Sequence, residues 1–325
     1  MKKGYIARKD YVVKSSTYVA VIGGINIDIG GITHKRLVIK DSNPGTVTIS
    51  LGGVACNIAH NLSLLGMDVQ FFTALGDDDY AQRIESACNS AGIDISHALR
   101  VKNAATSMYL FISDSDGDMA CAVSDMDIYK HITSDYLAGH MPLLNNAQLV
   151  VIDTNVPQKS LEYLARHCTA PIFADPVSIA KAPRLYKILS RVNTLKPNRL
   201  EAELLSGRTI TGKKTLFAAA DALLAHGVQR VFISLGKDGV LAADGAQKQV
   251  IPCCPAKVVN VTGSGDAFMA ALAYAYVHGA GLEEAARMAN AAAAIAAESA
   301  QTINLSLSPE KIMERMKRIK RCGGE

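Results

Sequence analysis

Asn260-Val261-Thr262-Gly263-Ser264-Gly265-Asp266-Ala267-Phe268 runs directly into Met269-Ala270-Ala271-Leu272-Ala273-Tyr274-Ala275-Tyr276. Small residues and two glycines let the backbone turn tightly and aim successive N–H groups at one point. The alanine-rich run predicts a helix, so that point is also a helix N-terminus. Unpaired donors and the positive end of the dipole favour an anion there. Asp266 stands at the mouth of this site. A carboxylate is a poor phosphate ligand, because like charges repel. It suits a base that takes a proton from a hydroxyl while the amides hold a transferring phosphoryl group. Standing alone, the stretch reads equally as an ordinary glycine-rich loop before a helix.

Outward from this loop the chain alternates. Val19 to Ile22 is a short apolar strand ending in Gly23-Gly24. Val54 to Leu65 has helical spacing (Ile58, Leu62, Leu65) and ends at Gly66. Val69 to Leu75 reads as the next strand, followed by Gly76-Asp77-Asp78-Asp79 and a helix through Ala91-Gly92. Strands resume at Leu149 to Asp153, Ile172 to Asp175, Thr194-Leu195 and Val231 to Leu235. Helical segments lie between them at Lys159 to Cys168, Arg199 to Leu205 and Lys214 to His226. Repeated strand–helix units predict an α/β fold: a doubly wound, mostly parallel sheet with helices on both faces. Ligands then sit at the carboxyl ends of the strands.

Two segments break the rhythm. Met108 to Ile112 and Met119 to Val123 alternate as short strands around Asp116-Gly117, a hairpin signal. Ile29 to Ile49 is extended in character, with a turn at Asn43-Pro44-Gly45. Both predict a small β-layer over the main sheet, read as a lid or as a decorated edge. The expected organisation is an N-terminal extension over 1–18 and one domain over 19–325, with lid segments near 29–50 and 104–127. Lys3 to Val13 resembles the closing wing of a winged helix-turn-helix domain, or is a plain frayed terminus. Without a recognition helix it should not read DNA.

Composition narrows the class. Of 325 residues, 49% are apolar and 20% charged, ordinary for a soluble domain with a sizeable core. A net charge of +4 is too small to argue for nucleic acid by itself. No apolar run is long enough to cross a bilayer, and no signal-peptide core follows the N-terminus. The seven cysteines are scattered and form no C-x-x-C, which predicts reduced thiols in the cytoplasm without a structural metal.

Four further fragments carry chemistry. In Gly23-Gly24-Ile25-Asn26-Ile27-Asp28, Asn26 and Asp28 reach polyol hydroxyls, or the Asp merely caps the turn. Gly52 and Gly53 let a small ligand approach the backbone, with Asn57 on the first helical turn, or they form a plain helix start. Asn198 and Glu201 in Lys196-Pro197-Asn198-Arg199-Leu200-Glu201 face one way on a helix start. That pair suits Mg²⁺-bound water near phosphates, and equally a capping box. Ser234 to Gly239, with Gly236 and Gly239, wraps a nucleotide or forms a β-turn. Gly207 to Lys214 nearly fits a P-loop but follows a helix and places Lys214 where Ser or Thr belongs, so it is set aside. The basic stretch Lys311 to Arg321 reads as the solvated face of a terminal helix.

In this order the pieces resemble the ribokinase-like (PfkB) carbohydrate kinase family. The first family signature is similar to Gly52-Gly53-Val54-Ala55-Cys56-Asn57-Ile58-Ala59 through Leu65-Gly66, the second to Val261 through Phe268. Asn198-x-x-Glu201 between them is similar to the magnesium and phosphate motif. The resemblance covers roughly 19 to 310 and implies ATP as donor with a nucleoside or sugar as acceptor. It further implies Asp266 as base and Gly263, Ser264 and Gly265 as the anion hole. Asn26, Asp28, Gly52, Gly53 and Asn57 would hold the acceptor. Lys196, Asn198, Glu201, Ser234, Gly236, Gly239, Thr262 and Asn290 would serve the nucleotide, with Glu201 holding Mg²⁺ through water.

Two departures stand out. K⁺-activated members carry Asp where this chain has Asn260, and a neutral amide weakens a cation loop, leaving K⁺ dependence open. Asn155 stands where ribokinases place an acidic sugar contact, which implies an acceptor other than free ribose. Within the family, Asp41 to Gly45, Ser124 to Asp127, Asp175 to Ser178 and Thr194 to Glu203 resemble the subgroup acting on the 5′-hydroxyl of pseudouridine. The alternatives are another acceptor (inosine, adenosine or ribose) or a ligand-sensing regulator without turnover. Pairing of two copies through the lid is also left open.

Overall fold

The computed structural model describes residues 18–116 and 118–322. The wing reading, on Lys3 to Val13, lies outside them. The chain opens with β1 (Tyr18–Ile22), whose last four residues are buried, as a strand covered on both faces requires. β2 (Asn26–Thr33) and β3 (Gly45–Gly52) pair antiparallel, from Asn26 opposite Gly52 to Thr33 opposite Gly45. α1 (Val54–Leu64) follows, and β4 (Asp68–Phe72) returns parallel to β1.

The apolar run Val69 to Leu75 is not one strand. It breaks at Thr73, whose hydroxyl donates to the Gly23 carbonyl at 2.7 Å, and β5 (Ala74–Leu75) leaves the sheet. α2 (Asp79–Ser90) starts on Asp78, which accepts from the Ala81 N–H. β6 (Ile93–Asp94) joins β4, and β7 (Leu99–Arg100) pairs with the displaced β5. Periodicity could not foresee the break, because both partners are distant in sequence.

β8 (Met108–Ser113) and β9 (Met119–Asp125) form the second hairpin. β8 runs parallel to β2, so the lid is a separate four-stranded sheet in the order β3-β2-β8-β9. Then follow α3 (Ser134–Asn146), β10 (Val150–Asp153), α4 (Gln158–His167) and β11 (Ile172–Asp175). β12 (Val192–Leu195), α5 (Arg199–Ser206), α6 (Lys213–Ala225) and β13 (Arg230–Ser234) continue the winding. β14 (Val240–Asp244) and β15 (Lys248–Ile251) add an antiparallel edge. The chain closes with α7 (Ser264–Val277), α8 (Leu282–Ala297) and α9 (Pro309–Cys322).

The main sheet runs β15-β14-β13-β12-β11-β10-β1-β4-β6. Its two faces alternate along each strand. Val19 and Val21 join a core with Ile58, Phe268 and Met288 on one side. Ala20 and Ile22 join another with Leu137, Leu161, Ala202 and Leu216. The chain leaves β1 first toward β4 and later places β10 on its other side, so β1 and β10 flank the switch point where a crevice opens. Gly23, Asp153, Asp175, Lys196 and Ser234 all stand at strand carboxyl ends. Among the described residues no helix is long and apolar enough to cross a membrane.

Candidate active site

Gly263 is the N-cap of α7 at φ 81°, in the left-handed region. A Cβ there would collide with the Thr302 carbonyl, so two requirements select glycine at once. Asn260 ties the loop to its neighbour. Its Oδ1 accepts from Thr262 N at 2.9 Å, and its Nδ2 donates to the Ala300 carbonyl at 3.3 Å. The Ser264 hydroxyl is buried and has no protein partner among the described residues. Lys196 Nζ lies beside Gly265, 3.2 Å from where a Cβ would stand, and 3.1 Å from Asp175 Oδ2. Burial works against the Lys196 ammonium. Asp175, then Asp266 and Glu201, together outweigh it and hold the pKa above its ordinary value.

Asp266 is buried on the first turn of α7, and its Oδ2 accepts from Asn57 Nδ2 at 2.8 Å. This contact spans α1 and α7 and joins the two glycine-bearing signatures. Burial, then the Asp175 charge, pushes the Asp266 carboxyl up to about 7, against the pull of Asn57 and Lys196. Asn57, expected beside the acceptor, turns its Nδ2 to Asp266. Spacing alone could not reveal a partner so far along the chain.

Asp153 organises the other side. Its Oδ2 accepts from Gly24 N at 3.0 Å, Ala55 N at 3.1 Å and Asn155 Nδ2 at 2.9 Å, while Oδ1 accepts from Asn155 N at 2.8 Å. The end of β1, the start of α1 and the turn after β10 are thus held on one carboxylate. Asn155 Oδ1 accepts from Lys181 Nζ at 2.6 Å, so its amide is bonded at both ends. Gly53, at φ 103°, packs where a Cβ would stand 2.5 Å from the Gly24 carbonyl. Asn26 Nδ2 donates to the Asp28 carboxylate, which overlies Gly52 so closely that a side chain there would collide with it. Burial raises the Asp28 carboxyl to about 6. In register, Asp28 pairs with Tyr109 and Gly30 with Phe111, so both aromatics share the face of Asp28. Their ring centroids are 5.8 Å apart, and the Phe111 ring covers Gly30.

A cavity of about 610 Å³ opens beside the anion loop. Lys196, Ser234, Gly236, Gly239, Ser264, Gly265 and Asn290 line it, seven residues singled out from sequence. Thr262, Asn198 and Glu201 are not on its walls. Asn198 and Glu201 form the capping box of α5: Glu201 Oε2 accepts from Asn198 N at 2.8 Å, and Asn198 Oδ1 from Glu201 N at 2.9 Å. Glu201 is also buried, and burial raises its carboxyl. Among the described residues no set of three or more His, Cys, Asp and Glu forms a direct metal cage. A Mg²⁺ held by phosphate oxygens and water needs none, and Glu201 near Lys196 fits that arrangement.

Asp153, Asp175, Lys181 and the apolar wall Cys253 to Val258 received no role from sequence. Each Asp ends a buried apolar strand at its carboxyl end, and that position is the signal that could have found them. The wall belongs to no helix or strand and has no periodic signal.

A glycine-rich loop that caps a helix N-terminus, a buried carboxylate raised to about 7 and a large cavity at the strand carboxyl ends are the parts that phosphoryl transfer requires. Residues 16–310 match the pfkB family carbohydrate kinases, and the chain belongs to that family, whose members phosphorylate a sugar or nucleoside hydroxyl. Among individual proteins it is 38% identical over 299 residues to the pseudouridine kinase of Escherichia coli (strain K12), covering 91% of this chain and 95% of that protein. A carbohydrate kinase from Agrobacterium tumefaciens superposes with a TM-score of 0.82 at 28% identity, covering 93% of this chain and 97% of the other. Arabidopsis thaliana ribokinase, solved with ribose and ATP, shares the fold at a TM-score of 0.82 and 22% identity, covering 93% and 99%.

Proposed function

We propose that this protein transfers the terminal phosphoryl group of ATP to the 5′-hydroxyl of pseudouridine. The observation that carries the reading is the Asn57–Asp266 contact, which holds in place, where the acceptor and nucleotide sides meet, a carboxylate that burial and Asp175 raise to about 7. Asp266 takes the proton as the hydroxyl oxygen bonds to phosphorus and the bond to the ADP oxygen breaks. The amides of Gly263 and Gly265 and the Ser264 hydroxyl hold the transferring group, the Ser264 amide being bonded to the Val261 carbonyl at 3.2 Å, and Lys196 offsets its charge. Mg²⁺ bound to phosphates, and through water to Glu201, would supply further charge neutralisation. Ser234, Gly236, Gly239 and Asn290 flank the adenosine, while Thr262 shapes the loop by its bond to Asn260. Asn26, Asp28, Gly52, Gly53, Asn57 and Asn155 form the acceptor side.

Two observations support a nucleoside over a free sugar. One is the similarity to a pseudouridine kinase across nearly the whole chain. The other is the Tyr109–Phe111 pair on the face of Asp28, which offers a nucleobase a surface to stack on. The Asn260 side chain joins the two loops directly, which supports turnover without K⁺.

ADP release with Mg-ATP, over pseudouridine, uridine, inosine, adenosine, ribose and fructose 6-phosphate, tests this reading. Strong preference for pseudouridine, equal in sodium and potassium salts, is expected. Preference for another acceptor would keep the chemistry and overturn the substrate. No turnover with any would favour the sensor reading. In the same assay Tyr109→Ala should raise KM for pseudouridine about tenfold, the scale of one lost base–aromatic stack. An unchanged KM would remove the stacking role.

We further propose that two copies pair through the lid. Ile29, Ile49, Leu110 and Val123 align across its four strands on the face opposite Asp28. Ile49, Leu110 and Val123 are 51%, 42% and 66% exposed, an apolar row of the kind a partner covers. Sedimentation equilibrium should show a dimer that Val123→Glu dissociates; a wild-type monomer throughout would exclude it.

A further inference from the structure

The cavity wall around Cys253 to Val258 lies outside regular secondary structure, so its position depends on anchors elsewhere. Most of them converge on the C-terminal end of α8. Asn290 Nδ2 donates to the Pro252 carbonyl at 3.1 Å. Val259 N and Asn260 N both donate to the Ala297 carbonyl, at 2.8 and 3.2 Å. Lys257 N donates to Glu298 Oε1 at 3.2 Å. Glu298 is the C-cap of α8, where the helix dipole opposes a carboxylate.

Arg315 of α9 resolves that conflict. Its Nη1 and Nη2 donate to Glu298 Oε1 and Oε2 at 3.0 and 2.6 Å, a two-pronged pairing. Nη1 also donates to the Pro255 carbonyl at 3.0 Å, and Pro255 lines the cavity. An exposed ion pair contributes little. This one is partly buried, with side chains 20% and 27% exposed, and its shared, forked geometry couples α9 to the wall. Arg315 lies beyond residues 16–310 that match the family.

We infer that Arg315, acting through Glu298, is a positioning residue of the nucleotide site. It holds the wall from Pro255 to Val258 at the distance that ATP requires and leaves the acceptor side untouched. The inference rests on the reading of this cavity as the ATP site. Binding of Mg-ATP by the wild-type protein, measured by calorimetry, tests that reading by itself. The ratio of variant to wild type tests Arg315.

Arg315→Gln should raise both Kd and KM for ATP about tenfold, as loss of a charge-assisted fork implies. KM for the acceptor and kcat at saturating ATP should stay within about twofold, because uniform binding alone is removed. Arg315→Lys should recover only part of the affinity, since an ammonium cannot span both carboxylate oxygens and the carbonyl. Glu298→Gln repeats the measurement should Arg315→Gln fail to fold. Unchanged ATP affinity in a folded variant would overturn the inference. So would equal rises in both KM values together with a fall in Tm, the mark of a merely structural role.

Discussion

Asp266→Asn is expected to lower kcat about a thousandfold, within the range that loss of a general base costs, while Mg-ATP still binds. The amide keeps the shape of the carboxylate and can still accept the Asn57 hydrogen bond. It cannot accept a proton. The anion loop depends on Gly263 and on Asn260 rather than on the Asp266 charge, so its geometry should survive. Rapid-mixing assays of ADP release and calorimetric ATP titration read the two halves separately. Turnover near wild type would remove Asp266 from the base role.

The same carboxylate sets the pH profile. Burial, with Asp175, raises it to about 7, and only the ionised form accepts the hydroxyl proton. The acceptor kcat/KM should therefore fall as pH drops through about 7 and level off above it. Asn57→Ala removes a hydrogen bond that favours the ionised form, so the inflection should move to higher pH. An inflection that stayed in place would mean that Asn57 does not tune the base.

Asp153→Ala is expected to cost about 3–5 kcal/mol of stability, as stranding several buried donors does. Gly24 N, Ala55 N and both Asn155 donors would lose their acceptor, and bulk water cannot reach them. Because these groups lie on β1, α1 and the β10 turn, the acceptor side should loosen with the fold. Chemical denaturation gives the stability, and KM for the acceptor at low denaturant gives the site. A loss below about 1 kcal/mol would mean that the donors find other partners.

Much of this site was legible before the fold. Gly263-Ser264-Gly265-Asp266 before an alanine-rich run carries its own geometry, because turn, helix start and carboxylate are neighbours in sequence. The capping box of Asn198 and Glu201 is local in the same way, and so is the hairpin of Met108 to Val123. Other features were hidden. The run from Val69 to Leu75 looks like one strand, and only the Gly23 carbonyl waiting for Thr73 explains why it divides. Asp153 and Asp175 look like ordinary strand ends until the sheet gathers their neighbours. Arg315 read as one more solvated base of a terminal helix, yet it grips Glu298 and Pro255.

The α/β winding, the lid strands, the glycine-rich turn into a helix and the family resemblance were all legible in the chain, since each rests on periodicity, turn chemistry or a contiguous motif. Tertiary structure alone decided which partner each polar group takes. Asn57 turns to Asp266, Asp153 holds three elements, and the cavity wall hangs on α8 and α9. The reason is physical: a buried donor or acceptor must be satisfied, and its partner is whichever group the packed core brings within reach, at any separation along the chain.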